Sequence, residues 1–485
     1  MEVTFIFPST SVSAKAAEGE VQKLKSNAFS LWKKLVHKKY GPDESVDDIL
    51  PSDSTPISLG QLCLATYLKE RGIRVNYIHS DYYLKGKGYT EEEFMKFLID
   101  ATASSQFVGI YAMTPMINSA LGILEHIKNN NPEIITVLGG PHATYMDQEV
   151  ISNYPFVDIV SRGEGEQVLF SLINNYDGSD EYLHKIDGIT YKKGAQVIRN
   201  KDQELLCAAE IPDPDYELVQ TDFNFLCTVM YSRGCPYSCK FCAEGNLWRH
   251  VVRFRDPVQV AKEIDLIYRR FGQRVIHIAD SEIDAVPKKL EKLLDEIIAL
   301  DISCRFTVNL RCDAYKRLTP ELISKMKRAG FFGYLIGVES ASDKMLEIMG
   351  RNSVFEDFLR TIDLLNDNDA GYILPGIMMG FPGETLETFE YTKQVFLDLL
   401  KNERVDYFFP KLFVPYPGSD PFMNPEKYGI EVSHCWNEYS RFDTRQIFES
   451  KHISAEYISN GMLDFYRIIN DTYKGLLEKY ENKAI

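Results

Sequence analysis

Short apolar runs rich in Val, Ile and Phe alternate with amphipathic helical stretches along most of the chain, and no other feature restricts the fold as much. VTFIF (3–7), RVNYIH (74–79), FVGIYA (107–112), IITVLGG (134–140) and VDIVSRG (157–163) read as buried strands, with helices over 57–72, about 90–103, up to about 130 and 166–176 between them. Strands that alternate with helices pair in parallel, so the expected fold is α/β with a doubly wound, Rossmann-like sheet. IDGITYKKGAQVIRN (186–200) adds a hairpin turning at Lys193-Gly194, and the Pro/Asp-rich IPDPDYEL (211–218) is a linker. A second series follows with strands at 225–234, 275–280, 304–311, 334–340, 372–382 and 405–418. Six strands interleaved with helices suit a partial (β/α)6 barrel, whose function lies in the loops at the C-terminal strand ends. From about Pro425 the chain turns helical and Tyr-rich. The expected division is 1–207, with an insertion at about 8–56, a linker at 208–222, a barrel at 223–424 and a helical C-terminal domain at 425–485.

At 485 residues the chain exceeds one ordinary hydrophobic core, in keeping with that division. Its 54 Lys and Arg against 70 Asp and Glu give a net charge of −16, which disfavours nucleic acid and anionic lipid as partners. Nine cysteines, an odd number with three crowded together, do not form a disulfide framework and fit reduced thiols. With no basic, apolar leader and no run of eighteen apolar residues, the expectation is a cytoplasmic protein without a membrane span.

The most specific motif is RGCPYSCKFCAEG (233–245), which spaces Cys235, Cys239 and Cys242 as C-x3-C-x2-C directly after the first strand of the second series. Structural zinc takes four ligands, generally as paired C-x2-C units, and no second unit or H-x3–5-H follows. Three thiolates from one loop instead suit a [4Fe–4S] cluster with one iron left open to a small ligand. Cys227, on the strand itself, reads as a small buried apolar residue. The C-x3-C-x-φ-C pattern, with Phe241 as φ, resembles the signature of the radical S-adenosylmethionine (SAM) superfamily. Later strands resemble that family too: HIADSEI (277–283), where Asp280-Ser281 departs from the frequent Asp-Asp; VNLRCD (308–313) with Arg311; LIGVESASDKMLEIMGR (335–351) with Glu339; GIMMGFPGET (376–385) with Gly380; and FVPYPGS (413–419). The resemblance implies SAM on the open iron, contacted by Phe241, Glu339, Arg311 and Gly380, and reductive cleavage of SAM to a 5′-deoxyadenosyl radical.

In the first domain, a doubly wound sheet binds ligands at its C-terminal edge beside the topological switch point. The loops there are MTP (113–115), GGPHATY (139–145) and RGEGEQ (162–167), rich in Gly and short polar side chains. Ahead of a radical SAM core, LGGPHAT followed by SRGEGEQ resembles the cobalamin (B12)-binding domain of the B12-dependent radical SAM enzymes. Carried over, this implies cobalamin contacts by Thr114, Gly139, Gly140, His142, Gly163, Glu164, Gly165 and Glu166. The D-x-H-x-x-G hexamer that supplies a lower cobalt ligand in many cobalamin domains is absent, so the resemblance implies cobalamin held without it, and His142 reads as a hydrogen-bonding or packing residue. The 8–56 insertion either covers the lower face of the corrin or is a surface excursion anchored by Trp32.

The implied activity uses SAM twice, once to methylate reduced cobalamin and once to make the radical that removes a substrate hydrogen. That describes a C-methyltransferase acting on a small metabolite, with an external flavodoxin- or ferredoxin-type electron donor. The alternative keeps the cofactors but lets the substrate radical cyclise, rearrange or be oxidised. A tRNA methylthiotransferase is disfavoured by the −16 charge and by the lack of a Cys trio in the first domain. A non-enzymatic cobalamin sensor would retain its function without the cysteine loop.

Overall fold

The computed structural model describes residues 2–9, 20–40, 55–219, 225–439 and 445–483. Two sheets, one parallel except for its terminal hairpin and one parallel throughout, organise it. The first contains β1 (Glu2–Phe7), β2 (Arg74–His79), β3 (Phe107–Tyr111), β4 (Ile135–Gly139) and β5 (Ile159–Ser161), then the antiparallel hairpin β6 (Ile189–Lys193) and β7 (Gln196–Arg199). Its order is β2-β1-β3-β4-β5-β6-β7, with the crossover reversing between β1 and β3. That reversal is the switch point at which such sheets bind ligands.

The second sheet is β8 (Thr228–Val229), β9 (Val275–Ile278), β10 (Arg305–Arg311), β11 (Phe331–Glu339), β12 (Tyr372–Met379) and β13 (Phe409–Leu412), in sequential order and parallel throughout. The order runs from β8 to β13 without closing, so the barrel is partial, as the six-strand pattern predicts. The expected strand over 225–234 is broken into two-residue pieces, because the chain turns there into the cysteine loop. Caps explain the crossover helix over Pro257–Arg270: Asp256 accepts from the amides of Val258 and Gln259, and Pro257 occupies the first helical position.

Part of the insertion is the helix α1 (Glu20–Tyr40), which pairs with the C-terminal helix α2 (Ala455–Lys483). Asn27 donates to Asn470 at 2.5 Å, and Asn470 donates to the carbonyl of Leu24 at 3.0 Å. Trp32 is 1% exposed, its ring 5.8 Å from Tyr372 and 5.4 Å from Tyr407. Tyr372 opens β12, so α1 seals the N-terminal end of the barrel strands, opposite the cysteine loop. Of the two readings of the insertion, the described helix fits the Trp32 anchor; 10–19 and 41–54 lie outside the described residues.

Before α2, the C-terminal segment is mostly irregular and crosses the first domain. Trp436, Tyr439 and Phe422 join its apolar core, and His434 meets Glu149 at 2.7 Å, while Cys435 is exposed. Among the described residues no helix is long and apolar enough to span a membrane.

Candidate functional site: a cysteine loop facing the edge of the first sheet

The three cysteines sit where the sequence puts them, in the loop after β8, half-buried and unpaired as disulfides. The turn into the loop depends on Gly234, whose φ of +108° is a glycine conformation and where a Cβ would lie 2.0 Å from the carbonyl oxygen of Val251. Burial pushes the Cys242 thiol up to about 12, although the Glu244 amide donates to its sulfur at 3.4 Å. A buried thiolate therefore needs positive charge nearby, which metal ligation or a cationic donor supplies. Among the described residues no group of three or more His, Cys, Asp or Glu side chains is placed to hold a single metal ion. The donor set fits a multinuclear cluster, in which each thiolate takes a different iron. Cys227 is fully buried beside β8 and has the packing role expected of it.

Around the loop, the strand ends bring up charged groups. Arg311 ends β10, donates to Asp313 at 3.1 Å, stacks on the Tyr237 ring at 3.7 Å and reaches Cys239 Sγ at 3.9 Å. Glu339 ends β11 with φ +75°, where the register with β12 skips a residue. A non-glycine residue in the left-handed region is strained, and such strain collects at ligand sites. Burial raises the pKa of the Glu339 carboxyl, opposed by Arg351, Lys411 and Arg311. Phe241 packs against the apolar group of Met345, Met349, Phe381, Phe413 and Phe448 that walls this side of the barrel mouth.

Gly380 lies at the end of β12, but its amide donates to buried Glu384 and its carbonyl accepts from Gln446 at 2.9 Å. A Cβ there would meet Gln446 Oε1 at 2.7 Å, so a side chain of the C-terminal segment occupies the space beside it. Asp280, where the sequence departs from the frequent Asp-Asp, accepts from the Tyr231 amide at 2.7 Å and from Ser232 Oγ at 2.6 Å and so anchors the entry to the cysteine loop. Beyond it lies a network without a sequence signal: Arg317 pairs with Glu282, with Asp284 at 2.9 Å and with Asp313 at 3.3 Å. Burial raises the pKa of both Glu282 and Asp284, opposed by the Arg317 guanidinium.

At the first sheet's C-terminal edge, beside the switch point, Thr114 after β3 and Gly139, Gly140 and His142 at the end of β4 come together. Gly140 has φ +95°, and a Cβ would sit 2.7 Å from the Ala112 carbonyl, so only glycine lets the β4 loop pass this close to the β3 loop. His142 is buried, shares a 3.0 Å hydrogen bond with Thr114 Oγ1 and lies edge-on to Trp436 with ring centres 4.6 Å apart. Burial lowers its pKa to about 4, so it is neutral at pH 7, and its Nε2 has no protein partner. Thr114→Val should leave Nδ1 unpartnered as well, at a cost of about 1–3 kcal/mol in the ligand-free protein, read as a lower denaturant midpoint. An unchanged midpoint would mean that this bond carries no net stability.

Gly163 leaves open space in front of its backbone, and Gly165 packs on Leu64. Glu164 and Glu166 behave differently from the expectation. Glu164 receives Arg233 at 2.9 Å and Arg253 at 2.7 Å, and Glu166 pairs with Arg233 at 2.8 Å. Their carboxylates are turned toward two arginines that flank the cysteines, because buried charges settle on opposite charges before all else. The two loops also meet directly: Tyr145 Oη donates to the carbonyl of Ala243 at 3.0 Å, and Gly418 lies under the Tyr145 ring. The C-terminal edge of the first sheet thus faces the mouth of the barrel.

Comparison with known proteins agrees with this arrangement. Residues 229–396 match the Radical SAM superfamily and residues 49–173 match the B12 binding domain. An anaerobic magnesium-protoporphyrin IX monomethyl ester cyclase of Rubrivivax gelatinosus is 29% identical over 70% of this chain and 64% of its own length. An uncharacterised methyltransferase of Pyrococcus horikoshii is 27% identical over 73% of this chain and 76% of its own length. The chain thus spans about two thirds of the length of the cyclase. Among solved structures, the radical SAM methyltransferase TsrM of Kitasatospora setae, solved with cobalamin and a [4Fe-4S] cluster, superposes with a TM-score of 0.65 at 16% identity, covering 89% of this chain and 79% of that one. OxsB, a cobalamin-dependent SAM radical enzyme, gives 0.63 at 20% identity, covering 88% of this chain and 56% of that one. A B12 binding domain whose C-terminal sheet edge meets the cysteine loop of a Radical SAM domain gives this chain the domain make-up of the B12-dependent radical SAM enzymes.

Proposed function

We propose that the protein is a C-methyltransferase that uses a [4Fe–4S] cluster, SAM and cobalamin to methylate an unactivated carbon of a small molecule. The observation that carries this reading is the bond from Tyr145 to Ala243, which sets the first sheet's ligand edge against the residue following Cys242. Ligands held on either side would share one cleft. When bound, the cofactors supply a radical that removes a substrate hydrogen and a methyl group that replaces it. Cys235, Cys239 and Cys242 would hold the cluster. Glu339, with its strained backbone and buried carboxyl, would accept from the ammonium of SAM, with Phe241 and Arg311 beside it. Thr114, Gly139, Gly140, His142, Gly163 and Gly165 would form the cobalamin edge. The phenylalanines and methionines around Phe381 exclude water from this side of the mouth, where a radical would otherwise be quenched. Glu164 and Glu166 serve by position, locking the cysteine loop to the cobalamin edge through Arg233.

The electron enters from an external flavodoxin- or ferredoxin-type donor. The test is anaerobic reconstitution with SAM labelled in its methyl group, a reductant and a protein-free cell extract as the substrate source. Formation of 5′-deoxyadenosine with label in a new product is the expected result; failure to form 5′-deoxyadenosine overturns the radical reading. A second reading is favoured by the cyclases, which match 70% and 79% of this chain: the substrate radical closes a ring and no methyl is transferred. Unlabelled product together with 5′-deoxyadenosine would select it.

A further inference from the structure

We infer that Arg351 and Arg311 are positioning residues that act on Cys239 as charged hydrogen-bond donors and set how readily a cluster on the three thiols accepts an electron. This rests on reading the cysteine loop as a cluster site. Arg351 Nη1 lies 3.7 Å and Arg311 Nη1 3.9 Å from Cys239 Sγ, and both side chains are buried. Cys242 instead receives a neutral backbone donor, the Glu244 amide. The positive charge is therefore concentrated on one of the three sulfurs.

Both guanidiniums retain capacity toward the mouth, since Arg351 Nε and Arg311 Nη2 are buried without a protein partner. Their own neutralisation is unequal. Asp313 sits 3.1 Å from Arg311, whereas Glu339 is 3.8 Å from Arg351, whose other terminal nitrogen is committed to the carbonyl of Gly337 and to Cys312 Sγ at 3.6 Å. Arg351 thus presents the less compensated charge to Cys239.

Adding one electron makes a cluster and its thiolates more negative. Charged N–H donors facing a sulfur stabilise the reduced form more than the oxidised one, which makes reduction easier. The electron comes from an external low-potential reductant, dithionite in the test, and both arginines keep their protons in either state. Placing the donors on Cys239 costs the fold no additional buried charge, because Glu339 and Asp313 already pair with them.

The experiment is a redox titration followed by electron paramagnetic resonance on the reconstituted full chain without SAM, comparing wild type with Arg351→Met, Arg351→Lys and Arg311→Met at measured iron and sulfide content. At the wild-type midpoint, the ratio of reduced to oxidised cluster should fall about tenfold in Arg351→Met, equivalent to 59 mV for one electron, and by less in Arg311→Met. Arg351→Lys keeps the charge but not the planar fork and should fall between wild type and Met. Wild-type midpoints in all the variants that retain full iron overturn the inference. If Arg351→Met does not assemble a cluster, Arg351→Lys and Arg311→Met decide by the same criterion. A wild-type chain that takes up no iron is a different failure: it removes the cluster reading, and this inference with it.

Discussion

Replacing Cys235, Cys239 or Cys242 singly by alanine should reduce SAM cleavage to background while leaving cobalamin retention and the fold intact. Each of these thiols is half-buried on a loop. Removing one sulfur deletes little packing, so the ligand-free protein should change in stability by no more than about 1 kcal/mol. The loss falls on the cluster, which would keep only two protein ligands for four irons. The proposed cobalamin edge is built from a separate sheet, and its contacts with the loop through Tyr145 to the Ala243 carbonyl and through Arg233 and Arg253 involve no thiol side chain. Iron content, the visible spectrum of bound cobalamin and the yield of 5′-deoxyadenosine separate these effects. Cleavage persisting at the wild-type rate in any one of the three would place the cluster elsewhere. Loss of cobalamin together with iron would show that the two halves of the site assemble as one unit.

The parts of this site that were legible in the sequence are those in which spacing carries chemistry. The C-x3-C-x2-C run placed its thiols in one loop, and the alternation of apolar runs with helices placed that loop at the mouth of a partial barrel. Glu339 was legible only through its resemblance to a family motif, although the structure adds a physical mark of its own in the positive φ and skipped register at the end of β11. Glu164 and Glu166 show where such reading stops. Both sit in a Gly-rich loop at a ligand edge, and their partners Arg233 and Arg253 lie in the other sheet's loop. Periodicity reports which face a residue shows to its own element, not which distant charge it meets. Helix α1 is similar. Its sequence is mostly polar, with Trp32 as its largest buried side chain, and the residues that receive it come from β12, from the approach to β13 and from α2. The Arg317 network had no signal, because acids scattered over 282–313 acquire meaning only when two strand ends converge.

Arg233→Leu should cost about 3–5 kcal/mol in the ligand-free protein, the range expected when one member of a buried ion pair is removed. Arg233 is 5% exposed and meets two carboxylates within 3 Å, Glu164 at 2.9 Å and Glu166 at 2.8 Å. Glu164 would keep Arg253 at 2.7 Å, so the unbalanced charge falls on Glu166, which is 3% exposed. At an effective dielectric constant near 20, each such contact represents roughly 6 kcal/mol of attraction. Most of that only offsets the cost of bringing three charges out of water, which is why the expected loss is smaller than the sum of the two contacts. The distinguishing measurement is the double variant. Adding Glu166→Gln to Arg233→Leu removes the stranded charge and should recover more than half of the lost stability, whereas a purely steric role for Arg233 predicts no recovery. Guanidinium unfolding of wild type, both single variants and the double variant gives the coupling directly. A loss below about 1 kcal/mol in Arg233→Leu would mean that water reaches these carboxylates. Because Arg233 directly precedes Gly234 and Cys235, the same substitution loosens the hold of the first sheet's edge on the cysteine loop, so iron uptake should fall in Arg233→Leu and stay low in the double variant, which lacks the same link.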